Sequence, residues 1–125
     1  MADQDNEYDV FISYAHYDNT ELQLLPPLVE TLSTTYRRIT GHTLRVFIDS
    51  QKIDTAQMWE RRIQRALARS ASLVALLSPS YFTSEWCGRE WSYFAQMEQQ
   101  TRDALNLPPD MGLIFPVKIV DWSRV

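Results

Sequence analysis

Apolar positions recur along this chain with two periods, and the points where the period changes predict its elements. Tyr8–Tyr14 (YDVFISY) sets Val10 and Ile12 against Asp9, Phe11 and Ser13, the period of a strand, and the polar AHYDNT follows at once. Leu28, Val29, Leu32 and Tyr36 recur at helical spacing. Pro26 and Pro27 before them suit a first helical turn, whose backbone N–H groups have no intrahelical acceptor, so a helix is predicted over about 26–38. Gly41 and His42 supply a turn, Leu44–Ile48 (LRVFI) is apolar enough for a buried strand, and Asp49–Gln57 follows as a polar loop without glycine. Trp59, Ile63, Ala66 and Leu67 mark one face of a second helix, with Glu60, Arg61, Arg62 and Arg65 on the other.

Ala71–Leu77 (ASLVALL) is continuously apolar and bounded by Ser and Pro, the pattern of an interior strand of a parallel sheet covered on both faces. Ser84 suits the N-cap of a third helix that carries Trp86, Cys87, Glu90, Trp91, Phe94 and Met97 to about Gln100. Pro108 and Pro109 break the chain, and Gly112–Val120 reads as a fourth strand in which Pro116 marks an edge or a bulge. Strands alternating with helices imply right-handed crossovers, a parallel sheet, and ligands gathered at the carboxyl ends of the strands. The chain stops five residues after that strand, so it reads as one domain (1–125) cut from a longer protein, with a last helix and strand missing.

Composition narrows the function. Apolar residues make up 45% of the 125 and charged ones 22%, the balance of a packed domain. A net charge of −4 provides no overall basic field, which disfavours non-specific nucleic-acid binding. The apolar runs are far short of the ~20 residues that cross a bilayer and the N-terminus is acidic, so a cytosolic protein without a membrane partner is expected. One cysteine excludes an internal disulfide and a thiolate-rich zinc site, and no HxxxH spacing suggests another metal. None of the three glycines lies in the loop after the first strand, so a dinucleotide fingerprint and a P-loop are both absent. The third strand ends in Leu77, Ser78 and Pro79, without the acidic cluster of a phosphate-receiving domain.

The third helix carries an anomaly. At about 100° per residue from Trp86, Met97 falls near 20°, Glu90 near 40°, Phe94 near 80° and Cys87 near 100°, so Glu90 sits inside the apolar arc. A carboxylate hemmed by Trp86, Phe94, Met97 and Cys87 loses hydration, and either serves chemistry or pairs with an arginine at the rim of the core. Cys87 reads as a buried small hydrophobe rather than a nucleophile, since neither histidine is near it in sequence. His16 and Asp18, after the first strand, and Asp49, ending the second, lie at the ligand-binding edge, where ligand contact and plain solvation or turn capping stay open. The run Arg61, Arg62, Arg65 and Arg69 reads as a solvated partner surface.

Four segments resemble one family, the Toll/interleukin-1 receptor (TIR) domains, particularly the bacterial ones: YDVFISYAHYD at Tyr8–Asp18, VFIDSQKIDTAQMW at Val46–Trp59, LVALLSPSYFTSEWCGREW at Leu73–Trp91, and IFPVKI. The resemblance implies an α/β fold, a flavodoxin-like parallel sheet with helices on both faces. It puts Glu90 in the place of the glutamate that, in enzymatic members, cleaves the nicotinamide–ribose bond of NAD, and Trp86 in that of the aromatic residue one turn before. Tyr14, Ala15 and His16 match the loop beside nicotinamide. Asp49 matches the acidic residue that opens the so-called BB loop, in which Ala56 replaces the usual glycine and Ile53 is a lone apolar residue poised to meet a neighbouring copy. The implied activity is that of an NAD glycohydrolase giving nicotinamide and ADP-ribose, or a cyclic isomer, in defence signalling. NAD would be a consumed substrate, with no cofactor and no metal, and other TIR domains would be partners through self-association. The alternative is a non-enzymatic TIR module that signals by homotypic binding.

Overall fold

The structure, a computed structural model, describes residues 6–15, 23, 25–48 and 56–118, with the backbone alone for 56–60. Its elements run β1 (Val10–Ser13), α1 (Leu25–Thr40), β2 (Val46–Ile48), α2 (Ala56–Ala68), β3 (Leu73–Leu77), α3 (Pro79–Thr83), α4 (Glu85–Ala104) and β4 (Ile114–Lys118). The four strands form one sheet in the order β2-β1-β3-β4, and every neighbouring pair is parallel, with Phe11 opposite both Phe47 and Leu73, and Ala75 opposite Pro116. This is the flavodoxin-like arrangement, in which the chain leaves β1 for one side and returns on the other, so the strand order switches between β1 and β3.

Side chains alternate across β1, and the two sets pack on different helices. Val10, Ile12 and Tyr14 join Leu76 and Leu25, with Leu28, Val29 and Leu32 of α1 against them. Phe11 joins Leu73 with Ile63, Ala66 and Leu67 of α2 and Phe94 of α4 on the opposite face. Because both faces are covered, all four residues of β1 are buried, Ser13 included. In contrast, β2 is only half-buried although its sequence is as apolar, since it lies at the edge of the described sheet. The other edge is β4, which tolerates Pro116 because an edge strand needs no donor on its outer side.

Element ends follow local chemistry. Pro26 and Pro27 lie in the first turn of α1, and the helix stops before Gly41, whose φ of 75° and N–H bond to the Arg37 carbonyl (2.8 Å) make a left-handed cap. Helix α2 begins at Ala56, inside the segment that read as loop. Helix α3 was not apparent from apolar periodicity because it has a single turn. Its signal is the pair Ser78–Pro79, in which Ser78 Oγ accepts from the Tyr81 N–H (3.1 Å) and Pro79 fills a first-turn position. Ser84 caps α4 as expected, accepting from the Cys87 N–H at 3.3 Å. That helix extends past Gln100 to Ala104 through a polar turn, in which Arg102 pairs with Glu98 (3.2 Å) and Gln99 bonds Asp103 (2.9 Å). Asn106, at φ 58°, follows it.

The start of β1 is fastened to the residue before β2. Arg45 donates its backbone N–H to Asp9 Oδ2 (2.8 Å) and its guanidinium to Asp9 Oδ1 (2.9 Å), and the Asp9 N–H bonds the Arg45 carbonyl (2.8 Å). Burial acts to raise the Asp9 carboxyl, but the hydrogen bonds and charge of Arg45, helped by His42, hold it below the usual carboxylate value. A depressed folded-state value means that this stabilisation is present above the unfolded value of about 3.9 and is lost as pH falls through the folded one. Arg45→Met is therefore expected to cost up to about 1 kcal/mol at pH 7 and to flatten the loss of stability below about pH 4, measured by urea unfolding across an acid pH series.

Candidate active site

The switch point between β1 and β3 is where open parallel sheets offer a crevice at the carboxyl ends of their strands. Three side chains from distant parts of the sequence meet there. Ser13 ends β1 and points to the α4 face, the Tyr81 hydroxyl arrives from α3, and Glu90 sits one turn into α4. Ser13 Oγ lies 2.8 Å from Glu90 Oε1 and 2.9 Å from the Tyr81 hydroxyl oxygen. Ser13 is fully buried, Tyr81 is 4% exposed and Glu90 6% exposed. Around them Ala15, Ala75, Tyr81 and Cys87 form an apolar cluster, with Leu77 and Trp91 against it.

The hydrogens on these oxygens can be assigned. A carboxylate only accepts and a serine hydroxyl has one hydrogen, so with Glu90 ionised the Ser13 proton is directed at Glu90, and the proton between Tyr81 and Ser13 belongs to Tyr81. Burial pushes the Tyr81 phenol above its ordinary value; the bond to Ser13 opposes this, while Cys87 and Glu90 nearby push it further up. Tyr81 is therefore the proton-bearing end of a chain that runs to Ser13 and ends on Glu90.

The burial of Glu90 agrees with the helical wheel, but the arc lies differently. Phe94 and Cys87 are at its centre (0% and 1% exposed), Trp91 is partly buried on one flank, and Trp86 on the other is 43% exposed, with the Arg89 guanidinium 5.1 Å from its ring centre. Trp86 thus lies at the exposed margin of the arc rather than in its buried centre. The apolar stripe is centred on Phe94 and Cys87, which face the sheet, and Trp86 in the first turn lies beyond its margin. One side chain against Glu90 is the hydroxyl of Ser13, which neither reading of the sequence contained. Ser13 was legible only as the one polar residue of the strand VFIS at its carboxyl end, and Tyr81 only as the aromatic residue of a short Ser-Pro-capped turn.

The other candidate residues separate. Ala15 is buried beside Tyr81 and Cys87 on the Glu90 side, whereas the side chain of Tyr14, one residue away and so on the other face, packs with Leu25 and Leu76. His16, Asp18, Asp49 and Ile53 lie outside the described residues. Among the described residues no group of three or more His, Cys, Asp or Glu is placed to hold a metal ion, and no helix is long and apolar enough to cross a membrane. The arginines of α2, with Arg69 just after it, are not simply a solvated row: Arg65 and Arg69 pair with Glu7 (3.3 and 3.2 Å), and Arg62 lies 5.9 Å from the ring centre of Phe47.

The fold and this corner define a flavodoxin-like α/β domain that buries a carboxylate at its strand switch point. The sequence profile of the TIR domain family matches residues 10–109, and the chain belongs to that family. It is 33% identical over 122 residues to a protein of Brachypodium distachyon named probable 2' cyclic ADP-D-ribose synthase BdTIR, a match spanning 96% of this chain and 50% of that one. It is 28% identical over 94 residues to the probable 2' cyclic ADP-D-ribose synthase TcpB of Brucella abortus, over 75% of this chain and 34% of that protein. The chain thus spans half the length or less of these curated relatives. The crystal structure of the TIR domain of the Toll-related receptor TRR-2 from Hydra magnipapillata superposes with a TM-score of 0.57 over 91% of this chain and 72% of that one, at 18% identity, a likeness of fold.

The buried position of Cys87 has a direct consequence. Its thiol is 1% exposed and is expected to resist an aromatic disulfide reagent in the native protein, reacting only after denaturation, with at least a hundredfold difference in rate as the reagent's absorbance reports it.

Proposed function

We propose that this domain cleaves the nicotinamide–ribose bond of NAD, with Glu90 as the carboxylate at the reacting ribose. The observation that carries the reading is a glutamate 6% exposed, held by a side-chain hydroxyl at the carboxyl edge of β1 and β3, the edge where open parallel sheets gather their ligands. A core that hides a carboxylate pays for it unless the group has a task, and carboxylates in such positions concentrate at functional sites. The two curated relatives support the same direction, because a cyclic ADP-ribose is what NAD becomes when nicotinamide leaves and the ribose closes on its own molecule.

The chemistry needs one such group. When the bond from ribose C1' to the nicotinamide nitrogen breaks, the electron pair leaves with a ring that had been cationic, so no acid is required, and positive charge develops at C1'. A carboxylate close to that carbon stabilises the charge, as one of the two carboxylates does in glycoside cleavage. A water oxygen then adds to C1' and releases its proton to give ADP-ribose, or a hydroxyl of the same molecule adds to give a cyclic isomer. Trp86, exposed one turn before Glu90, offers an aromatic surface at the approach, and Ala15 lines the Glu90 side. Tyr14, through its backbone, and His16 and Asp49 complete the substrate contacts in this reading. NAD is its substrate and no cofactor is called for.

Incubating the protein with NAD and separating the products by chromatography tests the reading. Free nicotinamide is expected from the wild type. Glu90→Gln is expected to lower the rate by at least a hundredfold while leaving the circular dichroism and unfolding midpoint close to wild type, since the amide keeps an acceptor for Ser13. A wild type that releases no nicotinamide at any concentration would leave the non-enzymatic homotypic module standing instead. Self-association is the second part of the proposal, through the segment carrying Ile53. Specific activity is expected to rise severalfold across a hundredfold range of protein concentration, and Ile53→Asp to blunt that rise.

A further inference from the structure

We propose that Ser13 and Tyr81 are positioning residues for Glu90: Tyr81 donates to Ser13, Ser13 donates to Oε1 of Glu90, and this one-way chain fixes the carboxylate in its reactive orientation and charge state. The inference rests on the reading of Glu90 given above and adds two residues that act through it. Its basis is geometric. Glu90 and Ser13 are 77 positions apart in sequence, Ser13 and Tyr81 are 68 apart, and both contacts are short and buried. Each oxygen sits on a different element, so the carboxylate is braced against the end of β1 and, through it, against α3. The braces are rigid: Ser13 belongs to a fully buried strand, and Tyr81 lies in a turn fixed by the Ser78 cap.

A purely structural account would have three polar atoms satisfying one another. The directional account predicts something different, because the hydrogen-bond route from Tyr81 to Glu90 runs through Ser13. Ser13 has one hydrogen, which goes to the carboxylate, and the hydrogen that Tyr81 supplies to the serine oxygen polarises the hydroxyl and strengthens that bond. A hydroxyl that donates to a carboxylate favours its charged form, so removal of the donor makes the carboxyl easier to protonate. The titratable groups shown at this corner are the Tyr81 phenol from α3 and the Cys87 thiol from α4, while β1 and β3 bring the uncharged Ser13, Ala15 and Ala75.

The test is a double-mutant cycle on NAD cleavage with Ser13→Ala, Tyr81→Phe and both together, read as separate kcat and KM across pH, beside a titration of the Glu90 carboxyl carbon by NMR in protein labelled at glutamate. Ser13→Ala is expected to lower kcat about tenfold with KM within about twofold, and to move both the acid limb of kcat and the carboxyl titration up by about one pH unit. Tyr81→Phe, which removes a single oxygen and keeps the ring, is expected to shift both in the same direction and lower kcat about threefold, but to add nothing once Ser13 is alanine. Ser13→Thr, which restores the hydroxyl, is expected to recover most of kcat. Losses that simply add, or a carboxyl titration that stays in place in Ser13→Ala, would overturn the proposal. If the wild type releases no nicotinamide, the NAD reading fails and the titration alone decides the chain. If Ser13→Ala does not fold, the titration of Tyr81→Phe decides it: a shift upholds the chain and an unmoved carboxyl overturns it.

Discussion

The contact between Ser13 and Glu90 is the constraint around which the rest of the molecule is arranged. A carboxylate inside an apolar arc loses its hydration, and the chain answers with a hydroxyl at 2.8 Å that is itself inaccessible to solvent. That hydroxyl can be there only if the last residue of β1 is buried on the α4 face. This in turn requires β1 to be central in the sheet and its odd-numbered positions to face α2 and α4. The order β2-β1-β3-β4 meets the requirement.

The same alternation distributes the work of the strand. Phe11 and Ser13 point to one face, where Phe11 anchors the core with Leu73 and Phe94 and Ser13 meets the carboxylate two residues further on. Val10, Ile12 and Tyr14 point to the other face and hold α1. A register slip of one residue would exchange the two sets, burying the hydroxyl against leucines and exposing Glu90 to an aliphatic side chain. The bonds between Asp9 and Arg45 fasten β1 to β2 at the opposite end of the strand and oppose such a slip.

In chemical terms the corner is suited to stabilising positive charge. Among the described residues it combines a carboxylate, a hydroxyl donor with a fixed direction and a phenol held in its protonated form with a cluster of apolar side chains. Low polarity around an anion strengthens its attraction for a developing cation, and rigid supports spare the site reorganisation when that charge appears. The lack of a glycine-rich phosphate loop is compatible with the proposal that NAD is consumed as a substrate rather than held as a resident dinucleotide.

Much of the fold was legible from the sequence, because periodicity and capping are local. The four strands, the three longer helices, the Ser84 cap and the edge position of Pro116 all follow from short-range patterns. The burial of Glu90 followed from the period of one helix, and the family from four motifs. What lay beyond the sequence depended on contacts across it. Burial of β2 was overestimated because an apolar run does not say whether a strand has a neighbour on both sides. Trp86 was placed in the buried arc because a wheel gives angles within a helix but not the direction of the sheet, which Phe94 and Cys87 define. Ser13 as a partner of Glu90 could not be read at all: a serine 77 positions earlier becomes relevant only when β1 lies beside β3 and the turn carrying Tyr81 closes over its end. Sequence determined that this chain has a carboxylate where a core should be, and tertiary structure decided which hydroxyl faces it, because side-chain hydrogen bonds between distant segments are set by packing rather than by local propensity.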